Sequence, residues 1–263
     1  MTTDRRQFLK MAGVMALGLG LKPALQSLLG GEVVEASEEL LAQGDGQGRR
    51  WAMVVDLPRC WSSPGCTDCI AACDAAHNIP HLEDERKAVR WLWQEPYGRL
   101  FRGQDPRATF SEVSSKAALV MCNHCENPPC VRVCPTGATW KRGDGIVMMD
   151  FHRCIGCRYC MVACPYGARS YNFVDPRQAL DMTKVDPGFP TRTRGVVEKC
   201  TLCSERIDRG GIPACVEGCS RGALLFGDIN DPKSEVRRVV ETRLTLVRRP
   251  EMGTKPRVYY VVS

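Results

Sequence analysis

Sixteen cysteines in four regular groups constrain this chain more than any other feature of its sequence. The spacings are C-x5-C-x2-C-x3-C, C-x2-C-x4-C-x3-C, C-x2-C-x2-C-x3-C and C-x2-C-x11-C-x3-C, and we number these groups motifs one to four. In order, they contain Cys60, Cys66, Cys69 and Cys73; Cys122, Cys125, Cys130 and Cys134; Cys154, Cys157, Cys160 and Cys164; and Cys200, Cys203, Cys215 and Cys219. All four end in C-x3-C, so the motifs repeat one another.

Motif three has the spacing of the bacterial ferredoxin run, including the proline after its last cysteine. In that run, the closely spaced thiolates bind one cubane cluster and the fourth cysteine binds the neighbouring cluster. Four such motifs therefore predict two units with two clusters each. Sixteen thiolates supply four [4Fe–4S] clusters, with no cysteine left over.

Other uses of cysteine fit this pattern less well. Eight disulfides could form in an exported protein, but C-x2-C spacing is awkward for structural disulfides. Structural zinc sites use C-x2-C pairs but not runs of four cysteines. Covalent haem needs C-x-x-C-H, which the sequence lacks. The alternative of another class is therefore a disulfide- or zinc-stapled exported binding protein.

Sequence shared around the motifs predicts a common local fold. The pattern C-x-x-G-A begins at Cys134, Cys164 and Cys219, and glycine there permits the backbone to leave the cluster loop. Ile146–Met149 reads as a strand that follows the turn Gly143–Gly145. Each repeat is then a strand, a cluster loop, a short helix and a strand, which predicts an α+β fold of ferredoxin-like units.

Cys60 departs from the standard spacing, which would place the first cysteine of motif one at Ser63. However, Asp56-Leu-Pro-Arg59-Cys60 repeats the lead-in Asp150-Phe-His-Arg153-Cys154. We therefore predict that Cys60 is a ligand and that the extra residues fold out at the turn Pro64-Gly65. The alternative is that Cys60 is a bystander and that this cluster has three thiolates.

The first 36 residues resemble a twin-arginine export signal. Arg5 and Arg6 precede the apolar run Met11–Leu21, which is too short to span a bilayer. Val34-Glu35-Ala36 offers a cleavage site. Twin-arginine export moves folded proteins, which suits a cofactor inserted in the cytoplasm, so we expect a periplasmic protein. The alternative is an ordinary secretory signal.

The ordered set of four motifs, over about residues 51–230, resembles the four-cluster iron–sulfur subunits of the dimethyl-sulfoxide-reductase type. The resemblance implies nested pairing, in which motifs one and four form an outer ferredoxin-like unit and motifs two and three form an inner one. It also implies four ligand sets: Cys60, Cys66 and Cys69 with Cys219; Cys200, Cys203 and Cys215 with Cys73; Cys122, Cys125 and Cys130 with Cys164; and Cys154, Cys157 and Cys160 with Cys134.

This pairing divides the chain into segments. They are a signal peptide (1–36), a linker (37–50), the outer unit (51–77 plus 196–230), an insert (78–117), the inner unit (118–172), a second insert (173–195) and a C-terminal extension (231–263). The inserts carry Trp91, Tyr97, Arg192 and Arg194. We expect them either to pack over the units with their charges solvated or to dock partner subunits.

No paired carboxylates or nucleophile–base set suggests a substrate pocket in the inserts, so we expect an electron-transfer subunit without a catalytic site. The net charge of +6 includes no dense basic run, so no nucleic-acid partner is expected. The export signal, the run Thr191–Cys200 and the lack of a C-terminal anchor resemble the periplasmic subunits of DsrMKJOP-type complexes of sulfur metabolism. That resemblance implies an integral quinone-interacting subunit and a periplasmic multihaem cytochrome c as partners, with no membrane span in this chain. The alternative partner is a molybdopterin subunit.

Overall fold

The computed structural model describes residues 48–263. The predicted signal peptide and nearly all of the predicted linker lie outside the described residues. Among the residues described, no helix is long and apolar enough to span a lipid bilayer. The fold is mixed α and β, with small sheets and short helices between them.

The largest sheet has four strands in the order β8–β1–β10–β9. Its strands are β1 (Trp51–Asp56), β8 (Leu224–Asp228), β9 (Thr245–Leu246) and β10 (Val258–Val261). β1 pairs parallel to β10 and antiparallel to β8, while β9 pairs antiparallel to β10 at the edge. Five of the six β1 residues are buried, as expected for an apolar run at the centre of a sheet.

Alternation along β1 separates two cores on opposite faces of this sheet. Ala52 and Val54 face the longest helix of the C-terminal part, Glu235–Thr242, whose Val236 is fully buried. Met53 and Val55 face the main core, which also holds cysteines of motifs one and four. The outer motifs are therefore built directly onto this sheet.

Three two-stranded antiparallel sheets complete the strands of residues 48–263. They are β2 (Leu92–Pro96) with β3 (Ala117–Met121), β4 (Thr139–Lys141) with β5 (Val147–Met149), and β6 (Ser170–Tyr171) with β7 (Val197–Glu198). The strand predicted at Ile146–Met149 is confirmed as β5. Gly145, in the turn before it, has a φ of +91°, which favours glycine.

The helices are short. They are α1 (Leu57–Trp61), α2 (Asp68–Ala76), α3 (Tyr97–Phe101), α4 (Arg107–Phe110), α5 (Pro129–Arg132), α6 (Tyr159–Ala163), α7 (Ser204–Ile207), α8 (Ala214–Glu217) and α9 (Glu235–Thr242). Single 3₁₀ turns lie at Glu85–Lys87, Glu112–Ser115, Pro176–Ala179 and Pro250–Met252. α2 and α8 approach closely, since a Cβ added to Gly218 would lie 2.4 Å from the Cβ of Ala72.

Residues 231–263, predicted as a C-terminal extension, supply two strands of the four-stranded sheet. β10 lies between β1 and β9, and the Arg243 guanidinium bonds Asp56 at the end of β1 at 2.5 Å. The sequence alone presented this segment only as an extension without a membrane anchor. It did not identify β10 as a central strand.

Aromatic side chains of the first insert pack in the main core, and not all charges of the inserts are solvated. Trp91 and Tyr97 are buried in the main core. Arg194 is exposed, as expected, whereas the Arg192 and Glu198 side chains form an ion pair with no exposure to solvent. The expectation of solvated charges is therefore wrong for Arg192, because the buried Glu198 carboxylate pairs with it.

Candidate metal centres formed by four groups of thiols

The first group of thiols, group A, joins motif one to the last cysteine of motif four. It consists of Cys60, Cys66, Cys69 and Cys219. Burial and then the neighbouring thiolates of Cys219, Cys60 and Cys66 raise the pKa of Cys69 to about 12. The same causes, burial first and then Cys219 and Cys66, raise the pKa of Cys60. The structure therefore brings Cys60 together with the rest of its predicted ligand set.

The position of Cys60 follows from a capped turn that occurs twice. The Asp56 carboxylate accepts a hydrogen bond from the Arg59 backbone N–H at 3.1 Å and caps α1. Asp150 accepts one from the Arg153 N–H at 3.2 Å. In both motifs the next residue is the first cysteine. After Cys60, Gly65 adopts a φ of +78°, in agreement with the predicted turn.

The second group, group B, joins the last cysteine of motif one to motif four. It consists of Cys73, Cys200, Cys203 and Cys215. Burial and then the thiolates of Cys200, Cys215 and Cys203 raise the pKa of Cys73 well above its usual value.

Backbone amides bond two thiols of group B. The Cys203 Sγ accepts a hydrogen bond from the Ala214 N–H at 3.3 Å, and the Cys200 Sγ accepts one from the Leu202 N–H at 3.4 Å. Leu202 and Cys203 both have positive φ, so the loop curls around the sulfurs. Such N–H···S bonds are one means by which a protein sets the potential of a cluster.

The third group, group C, joins motif two to the last cysteine of motif three. It consists of Cys122, Cys125, Cys130 and Cys164, which line one cavity together with Tyr166 and Arg169. Burial opposes ionisation of Cys122, but His124 and Lys199 outweigh it and lower its pKa to about 5. Group C therefore contains a thiol whose surroundings favour its ionised form.

The fourth group, group D, consists of Cys134, Cys154, Cys157 and Cys160. Cys134 and Cys154 pack in one apolar cluster with the buried Cys160 and with Cys130 of group C. The Cys154 Sγ accepts a hydrogen bond from the Val197 N–H at 3.4 Å. Cys157 is the single exposed cysteine of the sixteen, all of which lie in the described part of the chain. Its loop turns at Gly156, where a Cβ would lie 2.3 Å from the Gly195 carbonyl oxygen.

Electrostatic contacts between thiols link the four groups in one order. Cys69 of group A acts electrostatically on Cys215 of group B. Cys122 of group C acts on Cys200 of group B, and Cys130 of group C acts on Cys160 of group D. Neighbouring groups are therefore within reach of one another in the order A, B, C, D.

A histidine that sequence reasoning missed lies beside group B. The His77 Nδ1 is 2.8 Å from the Cys73 carbonyl oxygen, and its Nε2 is 3.1 Å from Glu205. Burial opposes protonation of His77, but hydrogen bonds to Cys203 and Glu205 raise its pKa to about 9. His77, Cys203 and Glu205 offer ligand atoms within 4.8 Å of one another. Because Cys203 belongs to group B, we interpret His77 and Glu205 as the polar surroundings of that group. The C-x3-H spacing from Cys73 to His77 could have indicated in the sequence that this histidine lies beside a cysteine group.

The donor chemistry fits iron–sulfur clusters. All sixteen cysteines are free thiols, gathered in fours rather than in twos. Four convergent thiolates suit iron–sulfur or zinc, and only the first explains the ferredoxin run of motif three. The fold and the thiols together define the class of protein, an iron–sulfur protein with two ferredoxin-like units.

Comparison with known proteins places the chain within that class. Two matches to models described as "4Fe-4S dicluster domain" cover residues 116–182 and 153–224. The chain is 42% identical to "Hdr-like menaquinol oxidoreductase iron-sulfur subunit 1" of Archaeoglobus fulgidus, over 98% of this chain and 97% of that protein. It is 35% identical to a tetrathionate reductase subunit of Salmonella typhimurium, over 99% and 89%. It is 36% identical to "Menaquinone reductase, iron-sulfur cluster-binding subunit" of Nitratidesulfovibrio vulgaris, over 81% and 88%.

The chain therefore belongs to the family of iron–sulfur electron-transfer subunits of oxidoreductase complexes. Two dicluster domains and sixteen cysteines give it four [4Fe–4S] clusters, as predicted. The resemblance to iron–sulfur subunits of the dimethyl-sulfoxide-reductase type is confirmed at this level.

Proposed function

We propose that this chain is the periplasmic electron-transfer subunit of a membrane-bound respiratory complex of sulfur metabolism, similar to DsrO of DsrMKJOP complexes. The succession of four thiol groups carries this proposal, because redox centres that lie within reach of one another can pass electrons from one to the next. Similarity to a menaquinol oxidoreductase subunit over nearly the whole chain supports a complex that exchanges electrons with quinones.

We assign groups A, B, C and D as the four ligand sets, which is the nested pairing. Electrostatic contact among the thiols supports this assignment for groups A, B and C. Group D rests on the packing of Cys134 and Cys154 with Cys160. When bound, such clusters supply one-electron transfer at potentials of roughly −700 to +450 mV. The chain supplies the thiolates, the amide donors to sulfur and the apolar core around them.

The partners in this proposal are an integral quinone-interacting subunit and a periplasmic multihaem cytochrome c. Attachment to the membrane would come through the integral partner, and export would use Arg5 and Arg6. Replacing both arginines by lysine should leave cluster-loaded precursor in the cytoplasm. Normal periplasmic delivery of that variant would contradict twin-arginine export.

A second candidate is the electron-transfer subunit of a molybdopterin oxidoreductase. Similarity to the tetrathionate reductase subunit and to a putative dimethyl sulfoxide reductase iron–sulfur subunit of Halobacterium salinarum favours it. Purification of the native complex under mild detergent separates the two. Haem c and quinol oxidation support the first candidate, whereas a molybdopterin cofactor supports the second.

Metal analysis tests the common part of both candidates. Anaerobically purified protein should hold about sixteen iron atoms and a similar amount of acid-labile sulfide per chain. Zinc without sulfide, or eight disulfides, would refute both candidates and favour the stapled binding protein.

Cys60 provides a sharper test of the ligand assignment. Cys60→Ala should convert one cubane to a three-iron cluster or lose it, because the remaining three thiolates leave one iron without its thiolate. EPR of the oxidised and reduced protein follows this change. Ser63→Ala is the matched control, since Ser63 holds the position of the standard first cysteine, and it should keep four cubanes. Four unchanged cubanes in Cys60→Ala would show that Cys60 is a bystander.

A further inference from the structure

Buried carboxylates in this fold each have an arginine, but three buried cations have no carboxylate. The buried carboxylates and their partners are Asp56 with Arg243, Asp105 with Arg107, Asp144 with Arg142 and Glu198 with Arg192. Lys199, Arg169 and Arg248 are 0%, 5% and 7% exposed. Within residues 48–263, none of these three cations has a carboxylate oxygen within 4.0 Å.

Lys199 reaches the thiols between groups B and C. Its Nζ donates hydrogen bonds to the Val147 carbonyl and, at 2.8 Å, to the Cys200 carbonyl. Burial lowers the pKa of Lys199, and the thiolates of Cys122 and Cys200 oppose that effect. Its charge is therefore directed at these two groups.

The two arginines approach group C from other sides. Arg169 lines the cavity formed by the group C cysteines, and its Nη2 donates to Thr139 Oγ1 at 2.9 Å. Burial opposes its charge, but the thiolates of Cys130, Cys160 and Cys122 raise its pKa. Arg248 donates to the Tyr166 carbonyl at 3.3 Å and lies over the Tyr166 ring, while its Nη1 is buried without a hydrogen-bond partner.

An uncompensated buried cation is costly, so an anion should face these side chains. A cubane with four thiolates carries about two negative charges when oxidised and about three when reduced. We propose that Lys199, Arg169 and Arg248 form a cationic cage that compensates the [4Fe–4S] cluster of group C and raises its reduction potential. This inference rests on the ligand sets assigned under the proposed function.

The cage affects the one-electron reduction of the group C cluster. When the cluster gains one electron from a donor centre, its negative charge grows by one. Fixed positive charges stabilise the more negative, reduced form more than the oxidised form. Group A differs, because the charges acting on Cys69 are the thiolates of Cys219, Cys60 and Cys66.

The test is an anaerobic redox titration of the full chain followed by EPR. Lys199→Met and Arg248→Met should each lower the potential of the group C cluster. We expect the ratio of reduced to oxidised cluster at a fixed potential to fall about tenfold, which is a shift of about 59 mV for one electron. Cys125→Ser identifies which EPR component belongs to group C.

Two variants control for charge and for structure. Lys184→Met removes the same charge from a side chain that is 82% exposed, and it should leave every potential unchanged. Arg248→Lys keeps the positive charge, so it should recover most of the reduction potential that Arg248→Met loses. If Lys199→Met loses iron, the group C potential of Arg248→Met alone tests the cage.

Unchanged group C potentials in cluster-replete Lys199→Met and Arg248→Met would overturn the cage. Equal shifts of the group A and group C clusters would overturn it too, because they would show a general effect of net charge. A wild-type protein with fewer than four clusters would instead refute the proposed function. The two failures are therefore distinguishable.

Discussion

Removing Arg192 should destabilise the fold more than any exposed charge change, because it strands the Glu198 carboxylate in the core. The Arg192 Nη2 lies 2.7 Å from Glu198, and neither side chain is exposed. The same guanidinium donates to the carbonyls of His77, Asn78 and Pro190, so it joins the start of the first insert to the end of the second. Breaking a buried pair by removing one partner costs about 3–5 kcal/mol.

In Arg192→Met, Glu198 retains hydrogen bonds from the Trp91 Nε1 at 2.9 Å and the Asn172 Nδ2 at 2.5 Å but has no cation. For a domain of this size, 1 kcal/mol shifts Tm by about 2–4 °C. We therefore expect Tm to fall by about 10 °C in anaerobic scanning calorimetry at one scan rate. Iron per chain, measured before each scan, ensures that only cluster-replete protein is compared.

The double variant Arg192→Met/Glu198→Gln decides whether the stranded charge is the cause. Glutamine keeps a side-chain amide that Trp91 can still donate to, and it removes the charge, so the double variant should be more stable than Arg192→Met alone. A double variant that loses the sum of both single effects would refute this reasoning. Arg177→Met is the matched control, because Arg177 pairs with Asp175 at the surface of the same insert. It should change Tm by no more than about 2 °C.

Three further substitutions test packing and hydrogen bonding, each by the change in Tm. Gly218→Ala should cost about 1–3 kcal/mol of stability, because its Cβ would lie 2.4 Å from the Cβ of Ala72. The space beside Gly137 is open, so Gly137→Ala should cost only about 1 kcal/mol, which comes from its φ of +63°. The reverse order would contradict the close approach. Tyr97→Phe should cost about 1 kcal/mol, because the hydroxyl donates to Asp105 at 2.5 Å inside the core. A more stable Tyr97→Phe protein would show that this hydrogen bond contributes nothing.

Local features of the fold could be predicted from the sequence because nearby residues determine them. The cysteine spacing indicated the clusters, since each loop brings its own thiols together. The turn at Gly145 and the strand after it depend on a few adjacent residues, and both are present. The repeated Asp-x-x-Arg lead-in predicted equivalent positions for Cys60 and Cys154, and the same capping hydrogen bonds precede both.

Features that depend on distant residues could not be predicted in the same way. Glu198, the carboxylate partner of Arg192, lies only six residues along the chain, but its side chain is enclosed by distant residues such as Trp91. The sequence alone presents Arg192 and Arg194 as similar surface charges. Lys199 directly precedes Cys200, but the place of its ammonium group is set by Val147 and motif two, which lie far away in the chain. The partner of β1 is likewise separated from it by more than two hundred residues.

That long separation between β1 and β10 has a consequence for the order of assembly. Apart from the backbone hydrogen bonds of the motif two loop with residues 254–257, the inner motifs and the β4–β5 hairpin form from neighbouring stretches of chain, so they can fold before β10 is made. The sheet beneath groups A and B lacks a central strand until Val258–Val261 has left the ribosome. We therefore expect the inner unit to take up iron first, and a ribosome-bound chain that ends before Val258 to be loaded at groups C and D but not at groups A and B. Full loading of such a chain would contradict this order. Until the last strand arrives, the cysteines of the outer unit are the ones that need protection from oxidation.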